Sequence, residues 1–285
     1  MSKNKFLVFL EMIKFEHTIF ALPFAYLGAF MAVGGLPPVD KLFWITVAMV
    51  GARTAAMALN RLIDRHIDKL NPRTAQRAIP SGAISTIEVW AYTIISFAVL
   101  FLAATMLNPL CVKLMPIAVF VLVIYSYMKR ISWTCHIVLG IAIGLAPLGS
   151  WVAITGKINL PGVILAIAVA SWVAGFDIIY SCQDWEFDKE NKLHSIPVEF
   201  GLEKALIISK LFHIIAPAMF VIIGLIMNFG IIYYVGVLIA ISLLLYEHSL
   251  VRPNDLTKID MAFFNMNGYL SVVMFVFTLI DLIIK

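Results

Sequence analysis

Charge is what this sequence has least of. Only 13% of its 285 residues are Asp, Glu, Lys or Arg, while 62% are hydrophobic and the mean hydropathy is +0.96. A soluble domain of this length needs more charge to cover its surface, so a water-soluble fold is excluded. Cysteine is scarce too: Cys111, Cys135 and Cys182 stand apart, in or beside apolar segments, without a CxxC pair. Neither a disulfide framework nor a zinc site is expected, and the three read as small hydrophobes. The six histidines, His17, His66, His136, His194, His213 and His248, show no metal-ligand spacing. Met1 to Lys5 has neither a signal-peptide cleavage pattern nor the Arg- and Ser-rich character of a transit peptide, and reads as a lead-in to the first apolar segment. No stretch suits a soluble domain, so residues 1–285 are expected to form one transmembrane domain.

What the sequence does have is apolar blocks, each near the roughly 20 helical residues that cross a hydrocarbon core. Backbone polar groups find no water there, so each block must be a helix or belong to a closed barrel. The blocks lack strict alternation, which predicts helices. Nine are read, at about 17–35, 42–63, 86–107, 110–128, 132–155, 160–181, 204–227, 230–250 and 260–283. The expected fold is therefore all-α, an integral membrane bundle of about nine transmembrane helices. Very short third–fourth and seventh–eighth connections predict antiparallel neighbours. With the N-terminus placed inside, sixteen Lys and Arg fall on the inner side, among them Lys3, and four (Lys41, Lys113, Lys157, Lys285) on the outer, with Arg53 left within the second block. That bias predicts a cytoplasmic N-terminus in a multi-pass protein of the cell (inner) membrane. Four crossings separate the loop after the second block from the loop after the sixth. Parity therefore places both at the cytoplasmic end.

Those two loops hold the dense acidic motifs. In the first, Asn60, Asp64 and Asp68 are four residues apart, and a step of four on a helix turns about 40° past a full circle, so their oxygens form one ridge. Arg53, seven residues before Asn60, lies nearly on that line within an apolar span, where a charge normally faces a polar cavity. In the second, Asp184 and Asp188 repeat the four-residue step, and Asp177 precedes Asp184 by seven in a hydrophobic run. Carboxylates packed this closely repel unless a cation sits between them. Hard oxygen donors on two facing helices suit Mg²⁺, which completes its shell with water and substrate phosphate. Arg73, Arg77, Lys129, Arg130, Lys189 and Lys192 surround the two motifs in sequence. Such a ring of cations suits a bound diphosphate. A plain structural reading stands beside this one: capped helix ends with salt bridges, and Arg53 paired with Asp177 as structural glue. Two independent carboxylate stripes at one membrane face favour the metal site.

Four stretches together carry a resemblance: Asn-x-x-x-Asp-x-x-x-Asp at 60–68, Arg-Thr-x-x-Arg-x-Ile-Pro-Ser-Gly at 73–82, Tyr-Ser-Tyr-Met-Lys-Arg at 125–130, and Asp184-x-x-x-Asp188. In this order they resemble the UbiA family of intramembrane aromatic prenyltransferases, over essentially the whole chain from Glu11 onward. The resemblance implies Mg²⁺ ions, held by Asn60, Asp64, Asp68, Asp184 and Asp188, that bind a polyprenyl diphosphate whose tail lies in a central cavity open to the lipid bilayer. It implies an aromatic acid acceptor, with Arg53, Arg73, Arg77, Tyr125, Lys129, Tyr180 and Lys189 as candidate substrate-binding residues and Asp177 as an orienting or proton-accepting group. Phe15 to Phe24 and Ala52 to Met57 look like the 4-hydroxybenzoate polyprenyltransferase-like enzymes, particularly those of the futalosine route to menaquinone. Many relatives carry Asp directly after the first motif's Asn; here it is Arg61. Relatives that prenylate haem or chlorophyll share the motifs. Two other readings compete. A membrane phosphotransferase would keep its aspartates in one segment, whereas these are split between two. A secondary transporter would use Asp177 and Arg53 as coupling charges, but no inverted repeat of broken helices is evident. No nucleic acid and no obligate protein partner is expected.

Overall fold

In the computed structural model, which describes residues 4–14 and 18–285, thirteen α-helices and short 3₁₀ and π turns make up the described chain. They are α1 (Lys5–Met12), α2 (Thr18–Val33), α3 (Val39–Leu70), α4 (Thr86–Leu107), α5 (Pro109–Tyr125), α6 (Met128–Ile131), α7 (Cys135–Thr155), α8 (Leu160–Ser181), α9 (Trp185–Glu190), α10 (Ile196–Phe200), α11 (Leu202–Ile226), α12 (Ile231–Ser249) and α13 (Asn267–Ile284). Among the described residues, seven helical stretches are long and apolar enough to cross a membrane, and shorter apolar helices run over Leu22–Val33 and Pro109–Tyr125. Lys3, the start of the first expected span, and Phe15, Glu16 and His17 of the quoted segment lie outside the described residues.

The helices pack as their sequence ends allow. α8 lies between α7 and α11, α3 lies along α4, and α4 with α5 and α11 with α12 meet across their short connections. α7 and α8 approach closely because Gly140 and Gly144 leave room for the backbones of Ala170 and Ala166, the small-residue solution to helix association in lipid. Asn108 closes the α4–α5 corner: its Oδ1 accepts from the Leu110 and Cys111 amides, and its Nδ2 donates to the Val152 and Ala153 carbonyls at the end of α7. α4 begins with a Ser85–Glu88 capping box, a motif that satisfies two orphan donors at once.

Two features differ from expectation. The lead-in to the first span is itself a helix, α1. Its Phe9 ring sits 4.3 Å from that of Tyr92, and Lys5 pairs with Glu88 at 3.1 Å, so α1 lies on the start of α4. The helix of the second expected span does not stop near residue 63: α3 runs on to Leu70 and carries Asp64 and Asp68 on uninterrupted helix. The polar end of α3 is helical because i→i−4 bonding continues wherever no Pro or Gly stops it, whether or not lipid surrounds it.

Candidate active site

A polar pocket of about 180 Å³ forms where the ends of α3, α5 and α8 meet the start of α7. Asn60, Asp64, Asp68, Arg73, Arg77, Tyr125, Lys129, Asp177, Tyr180, Asp184 and Asp188 all line it. The two aspartate motifs, more than a hundred residues apart in sequence, thus face one space.

Each carboxylate is met by its own cation. Asp64 takes Arg130 Nη1 at 2.8 Å, and its other oxygen accepts from Asn60 Nδ2 at 2.9 Å. Asp68 takes Arg77 at 2.6 Å, while its Oδ2 is buried without any hydrogen-bond partner. Asp188, almost fully buried, holds Lys129 Nζ with both oxygens, at 3.1 and 2.7 Å. Burial alone would lower the pKa of Lys129; the adjoining Asp188 carboxylate outweighs it, so the value is raised and the ammonium stays charged. Arg73 forks onto Asp184, Nε to Oδ1 at 3.0 Å and Nη2 to Oδ2 at 2.5 Å, with Nη1 donating to the Tyr180 hydroxyl at 3.1 Å. Burial opposes the Arg73 charge as well, and the bonds to Asp184 again win, raising its pKa.

The loop after α3 aims these cations. Asn71 Oδ1 accepts from the Arg73 amide at 2.9 Å, a tight local turn, while its Nδ2 donates to Asp184 Oδ1 at 3.1 Å. One side chain therefore shapes the loop and ties it to the second motif, which is how Asn residues favour turns. The second motif is not one regular stripe, because a 3₁₀ turn at Cys182–Asp184 separates α8 from α9. Tighter winding rotates Asp184 and Asp188 relative to Asp177, yet all three still line the pocket.

Asp177 is held by a residue that spacing rules did not single out. His136 Nδ1 lies 2.7 Å from Asp177 Oδ2, and His136 Nε2 accepts from the Ile196 amide at 3.3 Å. A carboxylate can only accept, so the proton on Nδ1 is the one donated to Asp177. Two expected ligands stand apart from the pocket. Lys189 is exposed, its ammonium 5.3 Å from the centre of the Trp185 ring: it lies one residue past Asp188 on α9, so it projects from a different side of the helix. Arg53 lines a second, apolar cavity of about 460 Å³ among α2, α3, α4, α5 and α7, with Nη2 donating to the Lys14 carbonyl at 3.4 Å. Tyr125 and Leu139 line both cavities, so the polar and apolar spaces adjoin there.

The pocket's donor set fits a hard divalent cation. Its oxygen donors include five carboxylates and the Asn60 amide, and Asp68 Oδ2 is a buried acceptor with nothing to accept from. As the side chains stand, no three acidic, His or Cys groups among the described residues converge on one point; Asp64, Asp68, Asp184 and Asp188 are each turned to an Arg or Lys.

Several long apolar helices around a charged pocket define an integral, multi-pass membrane protein. The sequence profile of the UbiA prenyltransferase family matches residues 21–269, and the chain belongs to that family. It is 30% identical over 252 residues to a 4-hydroxybenzoate octaprenyltransferase of Vibrio campbellii, covering 88% of this chain and 87% of that one. A protein of the same name from Nitrosospira multiformis is 29% identical over 258 residues, covering 90% and 88%. Among solved structures, a UbiA homolog from Aeropyrum pernix K1 superposes with a TM-score of 0.85 at 33% identity, covering 93% of this chain and 98% of that one. A UbiA homolog from Archaeoglobus fulgidus bound to DMAPP and Mg²⁺ shares the fold at a TM-score of 0.69 and 22% identity, covering 95% and 99%.

Proposed function

We propose that this enzyme transfers a polyprenyl group from a polyprenyl diphosphate to a ring carbon of a 4-hydroxybenzoate-like aromatic acid, in the biosynthesis of a quinone, menaquinone or ubiquinone. The observation that carries the reading is one junction: five aspartates with Arg73, Arg77 and Lys129 line a pocket that adjoins an apolar cavity at Tyr125 and Leu139. A diphosphate head and an isoprenoid tail require that pair of environments side by side. The names of the relatives support the same chemistry. The Lys and Arg distribution supports a site facing the cytoplasm from the cell membrane.

Asn60, Asp64, Asp68, Asp184 and Asp188 would hold Mg²⁺, as the A. fulgidus homolog's bound Mg²⁺ suggests. When bound, the metal supplies Lewis-acid stabilisation of the diphosphate and a template for it. The chain's own cations do the rest at the head group. Arg73, Arg77 and Lys129, now turned to carboxylates, exchange those partners for diphosphate oxygens and neutralise the charge that grows as the allylic C–O bond breaks. The bonding pair leaves with the diphosphate, and the ring carbon forms the new C–C bond to the allylic carbon. Asp177, its Oδ2 steadied by His136, takes the ring proton at its other oxygen. The apolar lining keeps water from the allylic cation.

Arg53, at the apolar side of Tyr125, is assigned to the acceptor's carboxylate. Arg53→Ala is expected to raise the acceptor's KM by about tenfold to a hundredfold, the loss of a charge-assisted hydrogen bond, with donor kinetics near normal. Steady-state assays that vary each substrate in turn check this. A change confined to the prenyl diphosphate moves Arg53 to the donor site.

A further inference from the structure

The ion pairs of the polar pocket leave one cation over. Arg130, Arg77, Arg73 and Lys129 take Asp64, Asp68, Asp184 and Asp188, and the imidazole of His136 takes Asp177. Arg61 lines the same pocket but makes no hydrogen bond or ion pair among the described residues, and its Nε is sealed from solvent without an acceptor. The charges it faces are Asp64 and Asp68, already partnered, and Arg77, a repulsive neighbour; the Tyr125 phenol completes its surroundings. A buried guanidinium donor with no acceptor costs stability that nothing in its own chain returns. Arg61 also sits three and seven residues before Asp64 and Asp68, on the face of α3 that lines the pocket.

We propose that Arg61 is an oxyanion-binding, specificity-determining residue of this pocket. Its ligand is either the terminal phosphate of the donor or the carboxylate of the acceptor. Both present paired oxygens that the guanidinium fork bonds two at a time; lysine keeps the charge of that contact and part of its strength, without the paired geometry. Arg61 then lines the head-group pocket and Arg53 the apolar cavity, with Tyr125 lining both. The inference rests on the functional reading above.

The test is isothermal titration of the full-length protein in lipid nanodiscs with two probes: inorganic pyrophosphate with Mg²⁺, and 4-hydroxybenzoate. Arg61→Gln is expected to weaken one probe at least about tenfold and to leave the other within about twofold. The probe that weakens identifies the source of the oxyanion. A wild-type protein that binds both and an Arg61→Gln protein that binds both equally well overturn the inference alone. A wild-type protein that binds neither overturns the functional reading and the inference with it. If Arg61→Gln weakens both and also melts at a lower temperature, Arg61→Lys decides. Selective recovery of one probe by the retained charge supports the proposal, and recovery of neither overturns it.

Discussion

Asp184→Ala is expected to lower prenyl transfer by on the order of a thousandfold, the scale seen when one group that stabilises transition-state charge is removed, while the protein still inserts and folds. Asp184 is the most heavily engaged carboxylate of the pocket, receiving two bonds from Arg73 and one from Asn71. Its loss removes a proposed metal ligand and, at the same stroke, releases Arg73 from its aim. The stability effect is much smaller. The Arg73 side chain is 35% exposed, so its unpaired charge is partly solvated, and a loss of about 1 kcal/mol is the scale for such pairs. Asp184→Asn sharpens the experiment, because it keeps the shape but loses the charge. Both variants are expected to be inactive yet monodisperse. Turnover near that of the wild type in either one removes Asp184 from the metal site.

The second large effect concerns the frame that holds the pocket. A Cβ on Gly140 would lie 2.3 Å from the Ala170 carbonyl oxygen and 3.3 Å from Ala174 Cβ. The oxygen belongs to backbone, which cannot step aside as a side chain can. Gly140→Leu therefore forces α7 away from α8. Overpacking by single methylenes costs about 1–3 kcal/mol, and an isobutyl group against backbone is expected to exceed that range. The consequence reaches the site because His136 stands in the first turn of α7 and Asp177 near the end of α8, and their 2.7 Å contact spans the widened gap. The expected result is a large drop in melting temperature, together with loss of turnover. Gly149→Ala on the same helix is the control. Its Cβ meets nothing within 4 Å, so its melting temperature is expected to stay near the wild-type value, with helix propensity alone at stake, about 1 kcal/mol. A Gly140→Leu protein as stable as the wild type contradicts the close α7–α8 packing.

Much of this site was legible before the structure was known, for a physical reason. Asp64 and Asp68, and Asp184 and Asp188, are charged residues repeated at helical spacing beside long apolar runs. Lipid makes such charges expensive enough that they stand out. The meeting of the two motifs followed from span parity, and both line one pocket. What could not be read comes from contacts without a period. His136 pairs with Asp177 across two helices, and Asn71 bridges its own turn to Asp184. Neither carries a spacing signal, because the partner lies far away in sequence. Asn71 had one local sign, Asn-Pro at a helix end, which marks a turn but not what the amide reaches. The 3₁₀ turn at 182–184 broke a stripe that assumed uniform helix. Lys189 showed that sequence proximity to Asp188 does not set direction: one residue along α9, it turns to Trp185 and away from the pocket. Sequence alone points the cations nearest the carboxylates at a diphosphate, and the structure has Arg73, Arg77 and Lys129 on the carboxylates themselves. The exchange of partners proposed for substrate binding would reconcile the two arrangements.

Product mass spectrometry tests the central claim most directly. Membranes containing the protein are supplied with prenyl diphosphates of several lengths and a panel of aromatic acids, with Mg²⁺ or with a chelator. The account predicts a product whose mass is that of one aromatic acid plus one prenyl group less one hydrogen, formed with one diphosphate released per product and abolished by chelation. Diphosphate release that yields prenyl alcohol with no prenylated acid anywhere in the panel, or product formation untouched by chelation, contradicts it.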